Sequence, residues 1–500
     1  MLRRKLPIFY SALLLTGVNL LLRLVGTSFQ VYISATLGPA GVGLLQLTMS
    51  VGSLAMVAGI AGIRTASMYL TAGELGQGKP ENVARVLSAC TIYSLVCSLS
   101  VAGLLYGFAP WIAERWIGDV RTVPSLHLFA AFLPVVCLCG VMTGYFTAAN
   151  RIGTLAVVEI AEQLFAMAAT MLALKLWAGA DPGRACLSVI LGSSLGTCLT
   201  LISLVVLRLL AHAPVGPPIA VRRRLLQAAV PLALADILKS GISTAENLMV
   251  PRRLALNPGV ADPLAAFGML SGMVFPVMMF PACILFALAE LLIPELARCA
   301  AAGEGKRIRY LVRRSLKVSM LYGAFFCGAE YLLAQSVCQL LYHNTEAGIL
   351  MRRFSLLIPM LYCDAITDAM TKGLGQQKIC VRYNILTSAL DVLFLFFLLP
   401  RWGLDGYYIS FLVTHLLNFF LSLRRLLLIS GERIPFHTPA LTAAGVAAAV
   451  LAASFVPSDL PCALSFAVVL TCLLTLFQVI GKEDIQWLIG LVKRRKHPPG

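Results

Sequence analysis

The chain has 500 residues, 59% apolar and only 13% charged, and its 40 Lys and Arg against 23 Asp and Glu give a net charge of +17. That much apolar content excludes an ordinary soluble globular protein. The cations cluster in short loops between apolar runs, the positive-inside pattern of a membrane protein, so the bilayer is the expected partner and nucleic acid is not.

In chain order, apolar runs long enough to cross a hydrocarbon core of about 30 Å predict about fourteen transmembrane helices. Their spans are 7–37, 41–71, 84–110, 124–149, 152–178, 184–210, 224–250, 263–296, 310–341, 354–374, 380–400, 403–428, 438–456 and 460–480. The expected fold class is an all-α polytopic membrane protein. Arg3, Arg4 and Lys5 precede an apolar run too long for a signal-peptide core, so that run reads as a retained span. With this end inside, 28 of the 40 Lys and Arg fall on the inner side, 8 fall outside, and Arg23, Arg64, Lys175 and Lys239 lie within spans. The bias places both termini in the cytoplasm.

The first helix carries Asn19, Arg23, Thr27, Gln30 and Ser34 on one face. Arg23 lies about 25 Å from Leu6 and about 21 Å from Leu37 along the helix, beyond the reach of snorkelling. An Arg at that depth needs a polar partner or a water-filled cavity. In the second helix Gln46, Ser50, Ser53, Arg64, Ser67 and Thr71 form a stripe, and Arg64 reads either as a snorkelling residue or as part of the cavity. The following G-x-x-x-x-G-K run, Gly73 to Lys79, ends in Pro80 where a phosphate loop needs Ser or Thr, and no strand precedes it. It reads as a turn.

The fifth helix holds Glu159, Glu162 and Gln163 within about two turns of Arg151, in part an interfacial cap. The seventh helix holds Asp236, Lys239, Ser243 and Asn247 in one stripe with Glu246 beside it, and Pro231 loosens it a turn earlier. Asp236 and Lys239 read either as a mutually neutralising i, i+3 pair or as a ligand-sensitive one. Pro276, Pro281 and Pro294 predict a broken eighth helix. The tenth holds Asp364 and Asp368 one turn apart; together they suit a proton or sodium ion, although Lys372 is placed to pair with Asp368.

The chain also repeats itself. Gly76-Gln77-Gly78-Lys79 recurs as Gly303-Glu304-Gly305-Lys306 at an offset of 227, Phe129, Leu133 and Pro134 recur as Phe354, Ile358 and Pro359 at 225, and Arg151-Ile152 recurs as Lys378-Ile379 at 227. Six helices per half make the repeat parallel, with a central cleft expected. The expected organisation is two six-helix lobes, 1–212 and 213–430, followed by two extra helices and a basic tail over 431–500. Fourteen scattered Cys read as small buried apolar residues, and H-E-x-x-H and His/Cys metal spacings are missing from the sequence. Neither an enzyme nor a cofactor is expected.

The stretch LGPAGVGLLQ (37–46), the Gly62-Ile63-Arg64-Thr65 turn, GYFTAANRI (144–152) with Glu162-Gln163, and LLIPELA (291–297) resemble stage V sporulation protein B-like polysaccharide exporters. Those belong to the multidrug/oligosaccharidyl-lipid/polysaccharide superfamily, with the lipid II flippases and multidrug antiporters. The resemblance covers roughly 1–430 and implies a twelve-helix, two-lobe core that moves polyprenyl-phosphate-linked glycans by alternating access. Leu22-Arg23-Leu24-Val25-Gly26 is similar to an Arg-bearing step of the lipid II flippases, but the position of their second Arg is Phe29 here. That departure argues against lipid II in particular.

Three functions compete. A flippase for a lipid-linked glycan would hold its phosphate with Asn19, Arg23, Thr27, Gln30, Arg64, Lys239 and Asn247, and couple to a proton or sodium ion through Asp236, Glu246, Asp364 and Asp368. A cation-coupled drug antiporter needs a dominantly acidic, aromatic cavity. A membrane glycan transferase needs a large outer loop with catalytic carboxylates or His, and the outer loops here are short.

Overall fold

The computed structural model describes residues 8–179, 181–210, 221–432, 437–479 and 481, and among them the chain is helical with no β-strand. The basic N-terminus, residues 211–220, most of the C-terminal tail and the side chain of Asn19 lie outside the described residues. The helices are α1 (Ile8–Ile60), α2 (Ile63–Gly76), α3 (Val83–Ile112), α4 (Val123–Ala148), α5 (Ile152–Ala173) and α6 (Pro182–Leu209). They continue as α7 (Arg222–Leu254), α8 (Pro263–Gly268), α9 (Phe275–Met279), α10 (Cys283–Ala301) and α11 (Gly305–Tyr342). The rest are α12 (Thr345–Phe354), α13 (Ile358–Gly373), α14 (Gln377–Ser430), α15 (His437–Ala453) and α16 (Asp459–Leu476).

Nine helices among the described residues are long and apolar enough to cross a membrane, ten if the broken pair Pro263–Met279 and Cys283–Ala301 counts as one. This is a multi-pass membrane protein. Two of the nine, Leu20–Gly76 and Gln377–Ser430, run 57 and 54 residues. At 1.5 Å per residue each is more than twice as long as a core of about 30 Å requires. Both turn without a loop: α1 kinks at Gly38 (φ 69°) before Pro39, and α14 kinks at Gly403 (φ 54°). The expected second helix does not run unbroken to residue 71. It stops at Ala61 and Gly62, both at positive φ, because Gly62 sits against the Ala229 carbonyl of α7 where a Cβ would not fit. The expected break in the eighth helix is present, as α9 and α10.

By internal contacts the chain forms two compact units, Met1–Pro276 with Ser388–Ser410, and Val277–Thr387 with Phe411–Gly500. The core of the first joins Ile63 and Leu70 of α2, Cys90 of α3, Phe146 of α4 and Ala229 of α7. In the second, Phe466 of α16 covers Gly328 of α11, and Tyr362 donates to the Met278 carbonyl at 2.7 Å.

The backbone carries the internal repeat more clearly than the residues do. Positive φ recurs at Gly78 and Gly303, Gly118 and His343, and Asn150 and Gly375, each pair 225 apart, and at Gly179 and Gly403, 224 apart. The last two share one conformation, φ 52° and ψ −136° against φ 54° and ψ −131°. A stacked pair repeats too: Tyr106 on His127 at 4.1 Å, and Arg352 over Tyr331 at 4.4 Å, both 225 apart. The offset of 227 read from Gly76–Lys79 and from Arg151-Ile152 is therefore two residues out. Gly78 corresponds to Gly303 and not Gly305, and Arg151 corresponds to Gln376, each the residue before a helix with φ near −95°.

Candidate functional site

In the first unit, the polar face of α1 meets α5. Gln163 donates to the Leu22 carbonyl at 3.0 Å, and Gly26 leaves room for that amide. Thr27 and Gln30 are half-buried and Arg23 is exposed. The Gln30 Nε2 is buried and has no hydrogen-bond partner among the described residues. A buried donor left so costs about 1–3 kcal/mol, the kind of cost kept where a ligand's oxygen will satisfy it. Ser34, a turn further, donates to the Gly272 carbonyl at 2.5 Å. Arg64 is exposed on α2, within the field of Glu159 on α5. Glu162 accepts from Thr197 at 3.3 Å and from Thr200 at 2.6 Å, which occupies it structurally.

Along α7 the structure separates residues that the spacing grouped. Asn247 donates to the Ser50 hydroxyl at 2.9 Å, and Thr244 donates to the Ser50 carbonyl at 3.0 Å, which ties α7 to α1. Asp236 and Lys239 are both exposed and do not approach within ion-pair distance of each other. Their reading as a closed pair is corrected: spacing of i, i+3 on a helix permits such a contact without enforcing it.

Glu246 has a partner outside the expected set. Its carboxyl lies beside that of Asp391 on α14, which is 4% exposed and accepts from Ser410 at 2.5 Å. Tyr407, also buried, lies in the field of both carboxyls. Two carboxyl groups in contact need a proton or a cation between them, since an ionised carboxylate only accepts. The spacing argument missed Asp391 because its partner lies 145 residues away. The available signal was an acidic residue inside the apolar span 380–400.

In the second unit, Asp364 accepts from Asn418 at 3.1 and 3.3 Å, while Lys372 closes on Asp368 at 2.6 Å. The simpler reading of Asp368 holds: it has a resident cation. Glu330 on α11, also unforeseen, is 9% exposed, and neither carboxylate oxygen has a hydrogen-bond partner among the described residues.

A membrane-embedded helical fold with charged and amide groups held inside its spans has known relatives. Residues 9–300, more than half of the chain, match the polysaccharide biosynthesis protein family. The chain belongs to that family. This polysaccharide biosynthesis protein is 21% identical to stage V sporulation protein B of Bacillus subtilis (strain 168) over 415 residues, 79% of each chain. Its fold is that of the lipid II flippase MurJ in an inward closed conformation, with a TM-score of 0.72 at 12% identity, covering 93% of this chain and 98% of that one. It is also that of an inward-facing multidrug resistance MATE family transporter of the MOP superfamily, with a TM-score of 0.66 at 13% identity, covering 83% and 99%.

Proposed function

We propose that this polysaccharide biosynthesis protein is an alternating-access flippase that carries a lipid-linked (poly)saccharide precursor across the cytoplasmic membrane for envelope synthesis. One observation carries the reading: the family match over residues 9–300 falls on a multi-pass chain that keeps Arg23 and Arg64 within its spans. The polyprenyl chain stays in lipid, and the phosphate is held by the α1 face of Asn19, Arg23, Thr27 and Gln30, with Arg64, Lys239 and Asn247 contributing. The resemblance to a lipid II flippase supports this substrate class, and the cationic spans disfavour a carrier of cationic drugs.

Transport of this kind needs a drive and no chemistry at the glycan, so the protein acts as a transporter and not as an enzyme. We assign coupling to Glu246 together with Asp391, which present a proton or sodium site inside the first unit; Asp364 and Asp236 are secondary candidates, and Asp368 keeps Lys372. The two repeats, 1–212 and 213–430, provide twelve crossings, 431–500 adds two, and both termini face the cytoplasm.

The test is translocation of a lipid-linked sugar by proteoliposomes, with and without a membrane potential, a proton gradient and a sodium gradient, beside a panel of cationic drugs. Gradient-dependent movement of the lipid-linked sugar supports the reading. Drug transport without movement of the sugar sinks it.

A further inference from the structure

A second place in the first unit is built for an anion attached to a hydrocarbon chain. A cavity of about 550 Å³ lies where α7 ends, with Leu54, Trp116, Leu248, Arg252, Arg253 and Phe396 among its walls. The Arg253 guanidinium sits over the Phe396 ring, its Cζ 3.3 Å from the centroid. Stacking occupies only the face of a guanidinium, so the N–H donors in its plane remain available for an oxyanion. Among the described residues no carboxylate pairs with Arg252 or Arg253.

Depth identifies the occupant's class. Arg252 stands about 45 Å along α7 from Arg222, close to the full thickness of a bilayer with its headgroups. The cavity is therefore level with the headgroups on the face opposite Arg222 to Arg224, and Trp111 and Trp116, 5.5 Å apart, mark that interface. A ligand at this level has its phosphate at the rim and its chain against leucine and aromatic walls. Two adjacent unneutralised guanidiniums match the charge of a diphosphate, where a phospholipid headgroup with one phosphate needs a single cation.

We infer that Arg252 and Arg253 form a rim site for the diphosphate of a polyprenyl-linked glycan, separate from the α1 face and holding the lipid at the far side of the membrane. The inference rests on the flippase reading above and adds a second station to it. The site holds the head group by bidentate hydrogen bonds from both guanidiniums, with the first isoprene units on Leu54 and Leu248.

Farnesyl diphosphate, titrated into the full-length protein in neutral phosphatidylcholine nanodiscs, tests it. Replacing both arginines (R252Q/R253Q) should weaken binding at least about tenfold, with the thermal unfolding temperature unchanged. R252K/R253K should fall between, because a point charge cannot bind a phosphate bidentately. Inorganic diphosphate should compete weakly, for want of a chain. Unchanged affinity in R252Q/R253Q overturns the inference. So does equal competition by phosphatidylglycerol, which would make this an ordinary lipid seat. Lipid-linked sugar translocation by the wild type separates the two claims. Without translocation the flippase reading falls even if the arginines bind the diphosphate; with translocation but unchanged binding, the rim site falls alone.

Discussion

Glu74 is buried at the end of α2, 3% exposed, and its carboxylate accepts from Arg224 of α7 at 2.8 Å and from Asn82 at 2.9 Å. Arg224→Ala leaves that carboxylate with one neutral donor. Removing one partner of a fully buried ion pair costs about 3–5 kcal/mol. The Arg224 side chain is 47% exposed, so water screens part of the attraction and the expected loss is about 1–3 kcal/mol. Glu74→Gln keeps a hydrogen bond with Asn82 and removes the buried charge, for a loss of about 1 kcal/mol. The double variant E74Q/R224A should then be more stable than R224A alone, because a neutral Gln does not need the cation. Thermal unfolding in a mild detergent, compared across the three variants and the wild type, reads this order. Wild-type stability in R224A, or a double variant less stable than R224A, would refute the reasoning.

Glu246→Gln and Asp391→Asn should each abolish the gradient dependence of transport while leaving the folded protein in the membrane; retained dependence in both would remove the pair from coupling. Arg23→Ala should abolish complementation without loss of membrane protein, and Arg23→Lys should recover part of it, because a point charge cannot grip a phosphate bidentately. His343 holds a left-handed φ of 51° where the first repeat has Gly118, so His343→Gly should stabilise by about 0.5–1 kcal/mol in thermal unfolding. Asn150→Gly should be nearly neutral, since Asn tolerates that conformation. Burial pushes the Asp119 carboxyl up, but hydrogen bonds from the Arg121 side chain and amide outweigh it and hold it below its ordinary value. Its stabilising contribution is present above about pH 4 and is lost as pH falls through the lowered value, so the advantage of the wild type over Asp119→Asn should shrink in acid unfolding scans.

The spans were legible because crossing a membrane imposes one strong local demand, about twenty apolar residues, which α3, α4 and α6 meet without ambiguity. Gly38-Pro39 and the Gly403 region read as loops, since those residue types usually end helices; here they bend continuous ones. The repeat was visible, but matching Gly-x-Gly-Lys letters misplaced its register in the α2–α3 loop. Backbone conformation follows the turn rather than the residue names. At the candidate site, Arg23, Thr27 and Gln30 share a face because helical spacing alone determines that. The contact of Glu246 with Asp391 comes from packing α7 against α14, which no local pattern encodes. The spacing of Asp236 and Lys239 allows a pair that the structure does not form.

The turns shared at offsets of 224 and 225 have an evolutionary consequence. At the offset of 225, Arg23 is matched by Leu248, Arg64 by Ala289, Glu246 by Leu21, Asp364 by Cys139 and Glu330 by Leu105. A duplicated ancestor would have left two copies of one scaffold, and each copy has since acquired charges that its twin lacks. What was inherited twice is the path of the chain, down to the dihedral angles at Gly179 and Gly403. The ionisable groups at those five positions lie in one half only, whereas the stacked pair of Tyr106 with His127 and Tyr331 with Arg352 is kept in both. At those five positions each half serves as an uncharged control for the other, showing what sits there when only the scaffold has to be maintained.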